Sequence, residues 1–280
     1  MRNVEKGKMK VLILCMVILA SLSSCDKEKK LDTAFSNKGK EVTNTQASES
    51  LSEQLSIEQQ LQLIVENEQL WKLDYREKDS YGYYGAEYYH YAVTDLNQNG
   101  RLEILSNTYN GNGHMPWNDC FEVSEDGKAL EKVPFKGKSK DADIYLDEVE
   151  VYWEKETKTY HYDFADYQHG SAAAHTLAYL DFVMGDGEIK ASVYGYLDQR
   201  DVNDCNYYAG NKRKKITEKE FGTLEEKHYA GWESKKATFG WFYTVQKDEN
   251  ENVIAKKISS EELYQRLQNS YETFGFHENP

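Results

Sequence analysis

The chain has 280 residues, with 34 Lys or Arg against 48 Asp or Glu, and a formal net charge of −14. That balance argues against a nucleic-acid partner, because phosphate binding needs a basic footprint. The length allows one substantial hydrophobic core or two small ones.

Met1 to Lys10 is basic, Val11 to Leu22 is apolar, and Ser23-Ser24 supplies small residues before Cys25. This is the layout of a secretory signal. The apolar run is too short to cross a hydrocarbon core of about 30 Å. Leu22-Ser23-Ser24-Cys25 resembles the lipobox of bacterial lipoproteins. The resemblance implies cleavage before Cys25, thioether lipidation of its sulfur and acylation of its amine. A plain cleaved signal followed by a chance cysteine is the alternative. Several acyl chains, at about 0.8 kcal/mol per buried methylene, would hold the protein on a membrane surface. The expected location is the extracytoplasmic face of the cell membrane, with lipid as the anchor. Loss of residues 1–24 removes four basic residues and one acidic one and moves the charge from −14 to −17.

Cys15 leaves with the signal and Cys25 is taken by lipid, so Cys120 and Cys205 remain. An even pair in an exported protein suggests a disulfide. It would close a loop of about 86 residues, worth roughly 4–5 kcal/mol. Two free buried thiols are the alternative, because sequence does not show whether the Cα atoms come within reach.

Residues 25–55 are polar and read as a flexible tether. One β-rich domain is expected over 56–280. Ser56 and Gln59 form a capping box for a helix over 56–74, with Ile57, Leu61, Ile64, Val65 and Trp71 on one face. Tyrosines crowd residues 79–91. They read as strand edges or, on an exposed face, as a platform for sugar or peptide. Tyr83, Tyr88, Trp117 and Trp153 are the candidate ligand-binding rings.

Asp95-Leu96-Asn97-Gln98-Asn99-Gly100-Arg101-Leu102-Glu103 follows, between apolar strand-like flanks. Oxygen side chains stand at alternate positions, Asp95, Asn97 and Asn99, and Gly100 permits a tight turn. An EF-hand would need a bidentate Glu at the twelfth position, which is Ser106 here. Glu103, at the ninth, is the substitute. The segment resembles the calcium loops of FG-GAP and VCBS repeats, which lie between strands of extracellular β-proteins. The resemblance implies calcium held by Asp95, Asn97, Asn99, the Arg101 carbonyl and Glu103. Two carboxylates predict weak affinity. An Asn-Gly hairpin turn without metal is the alternative. The lipobox, this loop and a downstream Asp126-Gly127-Lys128 turn together resemble an uncharacterised family of secreted bacterial lipoproteins. That resemblance implies export and calcium, and no reaction.

Hairpins follow across the turns at 125–128, 154–158 and 185–187. Thr217 and Glu220 cap a short helix near 217–227. Residues 239–246 read as a strand, with 253–257 returning beside it. Ser259 and Glu262 cap a last helix over 260–273. Successive hairpins imply antiparallel pairing. The expected fold class is α+β, mainly antiparallel β-sheet with an N-terminal helix and short C-terminal helices. One main sheet is preferred, and propeller-like blades are the alternative.

Three functions are open. The first is a non-enzymatic binding module for glycan, peptide or protein, with a structural calcium loop. The second is a secreted hydrolase using carboxylates or the segment His161–His175, which holds His161, His169 and His175 with Asp163 and Asp166. Their spacing matches no zinc motif, and a hydrolase requires such groups to converge in a pocket. The third is an inhibitor or immunity-like protein whose acidic face meets a basic partner.

Overall fold

The structure is a computed structural model that describes residues 55–72, 89–108, 117–138, 142–169, 174–201, 204–250, 253–255 and 257–278. The signal, Cys25, nearly all of the tether, Tyr83 and Tyr88 lie outside the described residues.

Fifteen strands and five helices are described. Strands β1 (Tyr89–Thr94), β2 (Glu103–Thr108), β3 (Asn118–Val123) and β4 (Leu130–Lys132) form an antiparallel sheet in sequence order. The second sheet has nine strands. Along it run β11 (Lys214–Ile216), β10 (Asp204–Ala209), β9 (Glu188–Asp201), β8 (His175–Gly185), β7 (Thr159–His169), β6 (Glu148–Glu154), β12 (Glu233–Thr238) and β15 (Gly275–Glu278). Strand β5 (Phe135–Gly137) adds to β9 and is its one parallel neighbour. Strands β13 (Gln246–Lys247) and β14 (Val253–Ala255) make a separate small ribbon. The class is α+β and mainly antiparallel, as expected. The preferred single main sheet is replaced by two.

Two cores explain the layering. One face of the first sheet carries Tyr91, Val93, Leu102, Ile104, Phe121 and Val123. It packs on Leu61, Ile64 and Trp71 of helices α1 (Ile57–Glu66) and α2 (Glu68–Trp71), and on Leu263 and Leu267 of α5 (Ser260–Thr273). Its other face, with Ala92, Leu105 and Cys120, packs on Val151, Tyr162, Phe164, Leu180 and Phe182 of the second sheet. Strands β1, β2 and β3 are therefore buried at every position. Their polar side chains must find partners inside the protein or from solution.

The capping boxes at Ser56 and Thr217 both form, and Ser259 accepts from the Glu262 amide. The first helix breaks at Asn67, where side chain and backbone both donate to the Leu63 carbonyl. The helix expected near 217–227 divides at Gly222 into α3 (Glu218–Phe221) and α4 (Leu224–His228). Residues 239–245 are not a strand. Phe242 makes only a bridge to Tyr91, and the Ser270 backbone lies within 2.7 Å of where a Cβ on Gly240 would stand. The expected bridge between Cys120 and Cys205 is absent, and both are free thiols. Cys120 is sealed inside β3 of the first sheet, whereas Cys205 sits in β10 of the second.

Candidate functional site

The loop between β1 and β2 is wound around Asp95. One carboxylate oxygen accepts from the Asn99 amide at 2.9 Å, and the other from Gly100 at 3.0 Å. Asn97 Oδ1 accepts from the same Asn99 amide, and Asn99 Oδ1 accepts from Arg101. Gly100 has φ +81°, which a Cβ would strain. Helix α1 holds the loop from outside. The Gln60 amide donates to the Gly100 carbonyl at 2.9 Å, and its oxygen accepts from Leu102 at 2.8 Å. From the second sheet, the Tyr162 hydroxyl donates to the Leu96 carbonyl at 2.7 Å.

Glu103 closes the loop from beneath and is fully buried. Its Oε2 accepts from the Thr94 hydroxyl and the Leu96 amide, both at 2.9 Å. Its Oε1 is buried without a hydrogen-bond partner. Burial, and then the nearby charges of Asp95 and Glu122, push this carboxyl well above the ordinary range against the opposing Leu96 bond. Asp95 is also raised, chiefly by burial.

Glu122 was not foreseen. It stands directly opposite Glu103 across the β2–β3 ladder. It accepts from the Asn99 side-chain Nδ2 at 2.8 Å and pairs with the Arg101 guanidinium at 2.8 Å. The hairpin register was the signal that could have found it, because two like charges directly opposite are destabilising and need compensation, which Arg101 supplies to Glu122.

Asp95, Asn97, Asn99 and Glu103 thus gather at one loop; the Asp95, Asn97 and Asn99 oxygens each accept one of the hydrogen bonds above, and Glu103 keeps its Oε1 unpartnered. The set suits a hard cation. Among the described residues, no group of three His, Cys, Asp or Glu side chains forms a metal cage. The loop's donors are two carboxylates, two amide oxygens and a carbonyl, a mixture outside that description.

The candidate rings do not converge. Trp117 is 57% exposed at the start of β3. Trp153 lies in β6 of the other sheet, against Tyr160 at 4.5 Å. A different ring group surrounds His90. Tyr145 and Tyr243 lie 3.9 and 4.6 Å from it, and Trp241 meets Tyr145 edge-on. Burial, and then Lys247, lower His90 to about 4. Its Nδ1 and the Oδ1 of Asn107, its cross-strand neighbour, are both buried without partners.

The histidines expected to act together are apart. His161 lies opposite Val183, near the other end of β7 from the His169–His175 pair. What His161 meets instead is Asp181. Its Nδ1 donates to one carboxylate oxygen at 2.9 Å, and Nε2 of His228, from α4, donates to the other at 3.0 Å. Glu150, Asp163 and Asp181 stand in one cross-strand row. The Tyr194 hydroxyl donates to Asp163 at 2.7 Å. Burial, opposed by that bond and aided by Glu225, Asp181 and Glu150, pushes Asp163 up to about 7. Burial also works to raise Asp181, but the bonds from His161 and His228 overcome it and hold it below the ordinary range. The sequence signal for this cluster was slight, because its members come from distant segments.

Cavities lined by described residues lie elsewhere, in the intersheet core, beside Asp166 and Arg213, and between α1 and Tyr264. No helix among the described residues is long and apolar enough to cross a membrane. No family model matches this chain, and neither does any curated protein or solved structure.

Proposed function

We propose that this chain is a lipid-anchored extracytoplasmic binding module, tethered through Cys25 and stapled by calcium at Asp95–Glu103. The observation that carries the calcium reading is the buried Glu103 carboxylate, with one oxygen unpartnered and Asp95 and Glu122 beside it. A buried charge without full compensation is costly, and a divalent cation would compensate Glu103 and Asp95, while Glu122 already has the Arg101 guanidinium. Asp95, Asn97, Asn99, the Arg101 carbonyl and Glu103 would hold it. Its role would be to fix the β1–β2 turn between α1 and the second sheet.

Binding is supported by the rings around His90, where the half-buried Tyr145, Trp241 and Tyr243 offer aromatic faces of the kind a sugar stacks on. The test is a glycan array with the lipid-free chain in millimolar calcium. Trp241→Ala should lose the signal and Trp117→Ala should keep it. Equal signals from both variants would remove this ring group as the binding face.

A second reading, acid–base hydrolysis, is favoured by Asp163 and Asp181. They are adjacent carboxylates whose ionisation is pushed in opposite directions, as an acid and its partner need. Glycosidase activity abolished by Asp163→Asn would establish it.

A further inference from the structure

Residues 217–232 cross the outer face of the second sheet, away from both cores. Their attachment is unusual in its chemistry. Neither α3 nor α4 has a buried residue, and of the segment only Tyr229 is fully buried. Apolar contact is confined to one end, where Leu224 and Phe221 come within 2.9 and 3.4 Å of where a Cβ on Gly195 would stand. The rest of the attachment is polar and aromatic. His228 donates to Asp181 at 3.0 Å, and the Tyr152 hydroxyl donates to Glu225 at 2.8 Å. Tyr229 stacks on Tyr152 with centroids 3.7 Å apart, His228 stacks on Tyr194, and Trp232 tilts over His161.

Carboxylates crowd Asp163 under this segment. Asp163 faces Glu150 from β6, Asp181 from β8 and Glu225 from α4. The hydroxyls around it are Tyr194 from β9, Tyr229 from beyond α4, and Tyr152 and Tyr179 from β6 and β8. The possible cations are His161 and His228, both bound to Asp181, and Lys236, which is shared between Glu148 and Glu150. None of the described ion pairs joins Asp163 to a cation. The Tyr229 hydroxyl is buried there without a hydrogen-bond partner, a cost that is relieved when the segment lifts.

We propose that residues 217–232 are a proton-fastened strap: while Asp163 carries a proton the segment stays docked on the sheet, and loss of that proton releases it and uncovers Tyr152, Tyr194 and the His161–Asp181 pair. The argument is one of local stability. A segment with few buried apolar contacts opens separately from the global fold. Ionised Asp163 would place a fourth negative charge beside Asp181, Glu225 and Glu150 in a half-dry layer. Neutral Asp163 removes that repulsion and still accepts from Tyr194.

The direction of the pH response follows from linkage. Asp163 is raised from 3.8 to about 7 when docked, so the docked state holds a proton that the open state releases. The docking constant then falls up to tenfold per pH unit between those two values and levels off above them. The strap does not depend on the hydrolase reading. It concerns the cover, and that reading concerns what lies beneath.

The test is amide hydrogen exchange of the full folded domain from pH 5 to 8, corrected for intrinsic rates and referenced to α5. Protection of residues 218–229 should fall at least tenfold between pH 5.5 and 7.5, and that of 260–273 should not. In Asp163→Asn the strap should stay protected throughout. Tyr194→Phe removes a bond that favours the ionised carboxyl, so release should move to higher pH. Protection in the wild type that is independent of pH would overturn the proposal. So would the same pH profile in Asp163→Asn, which would assign the response to the imidazoles of His161 and His228.

Discussion

Glu103 and Asp181 are both buried carboxylates on central strands, yet the protein completes them differently. Asp181 receives an imidazole on each oxygen, so both its oxygens are satisfied inside the fold. Glu103 receives a hydroxyl and an amide on one oxygen and nothing on the other, and the charges acting on it are those of Asp95 and Glu122, of which only Glu122 has a cation, Arg101. Burial alone therefore does not distinguish a structural carboxylate from a ligand. The sign of the surrounding charge does. A site balanced from within needs nothing from solution, and one left negative has a use for a cation.

The largest expected effect breaks the balanced site. Asp181→Ala leaves the buried His161 Nδ1 without its partner and unties His228 from the sheet. Removing one member of a buried pair costs about 3 kcal/mol, and urea unfolding of the variant measures it. An unchanged midpoint would show that the two imidazoles are satisfied by other means.

Asp163 sits between the two cases, and its mutation should stabilise the protein. Its carboxyl is raised from 3.8 to about 7. Native Asp163 therefore costs nothing below pH 4, costs more as pH rises, and costs most above 7. A sealed site would make that about 4 kcal/mol. Asp163 is half-buried, and solvent screening reduces the expectation to about 2 kcal/mol. Asp163→Asn should raise stability by that amount at pH 8 and leave it unchanged at pH 4. Equal gains at both values would trace the effect to packing and not to charge.

Legibility in the sequence follows the same division. The calcium-like loop could be read because its donors repeat within nine residues. The capping boxes at Ser56 and Thr217 are local in the same way. Asp181 could not be read, because its two partners lie 20 and 47 residues away. Grouping His161 with His169 and His175 followed proximity in sequence. Eight residues along a strand span roughly 26 Å, so only His161 reaches Asp181. Strand β12 was missed because Glu-Ser-Lys-Lys-Ala-Thr has almost no apolar alternation, and its place is set by pairing with β6 and β15. The two-sheet arrangement escaped because β1 to β3 are buried on both faces, which erases the period of two that marks a one-sided sheet.

Calcium tests the unbalanced site directly. At free calcium tenfold above Kd, a ligand bound only by the native state stabilises it by about 1.4 kcal/mol. For a domain of this size that is a rise in Tm of about 3–6 °C over chelator. Asn97→Ala together with Asn99→Ala should abolish the rise. Superimposable melts of the wild type in millimolar calcium and in chelator would sink the metal.

The smallest effect separates calcium's role from that of the loop itself. In chelator, Glu103→Gln removes a buried charge beside Asp95 and Glu122, which favours the native state. The same change places an amide where only acceptor oxygens are near, which opposes it. The two offset, and the net gain should be no more than about 1 kcal/mol. The pH dependence is the sharper reading. Glu103 is raised when folded, so without calcium the wild type loses stability as pH climbs above 4.5 toward the raised value. Calcium selects the ionised form and should remove that decline, and Glu103→Gln should lack it with or without the metal. A decline that persists in Glu103→Gln would place the charge problem on Asp95 or Glu122, and the staple would then close on a different carboxylate.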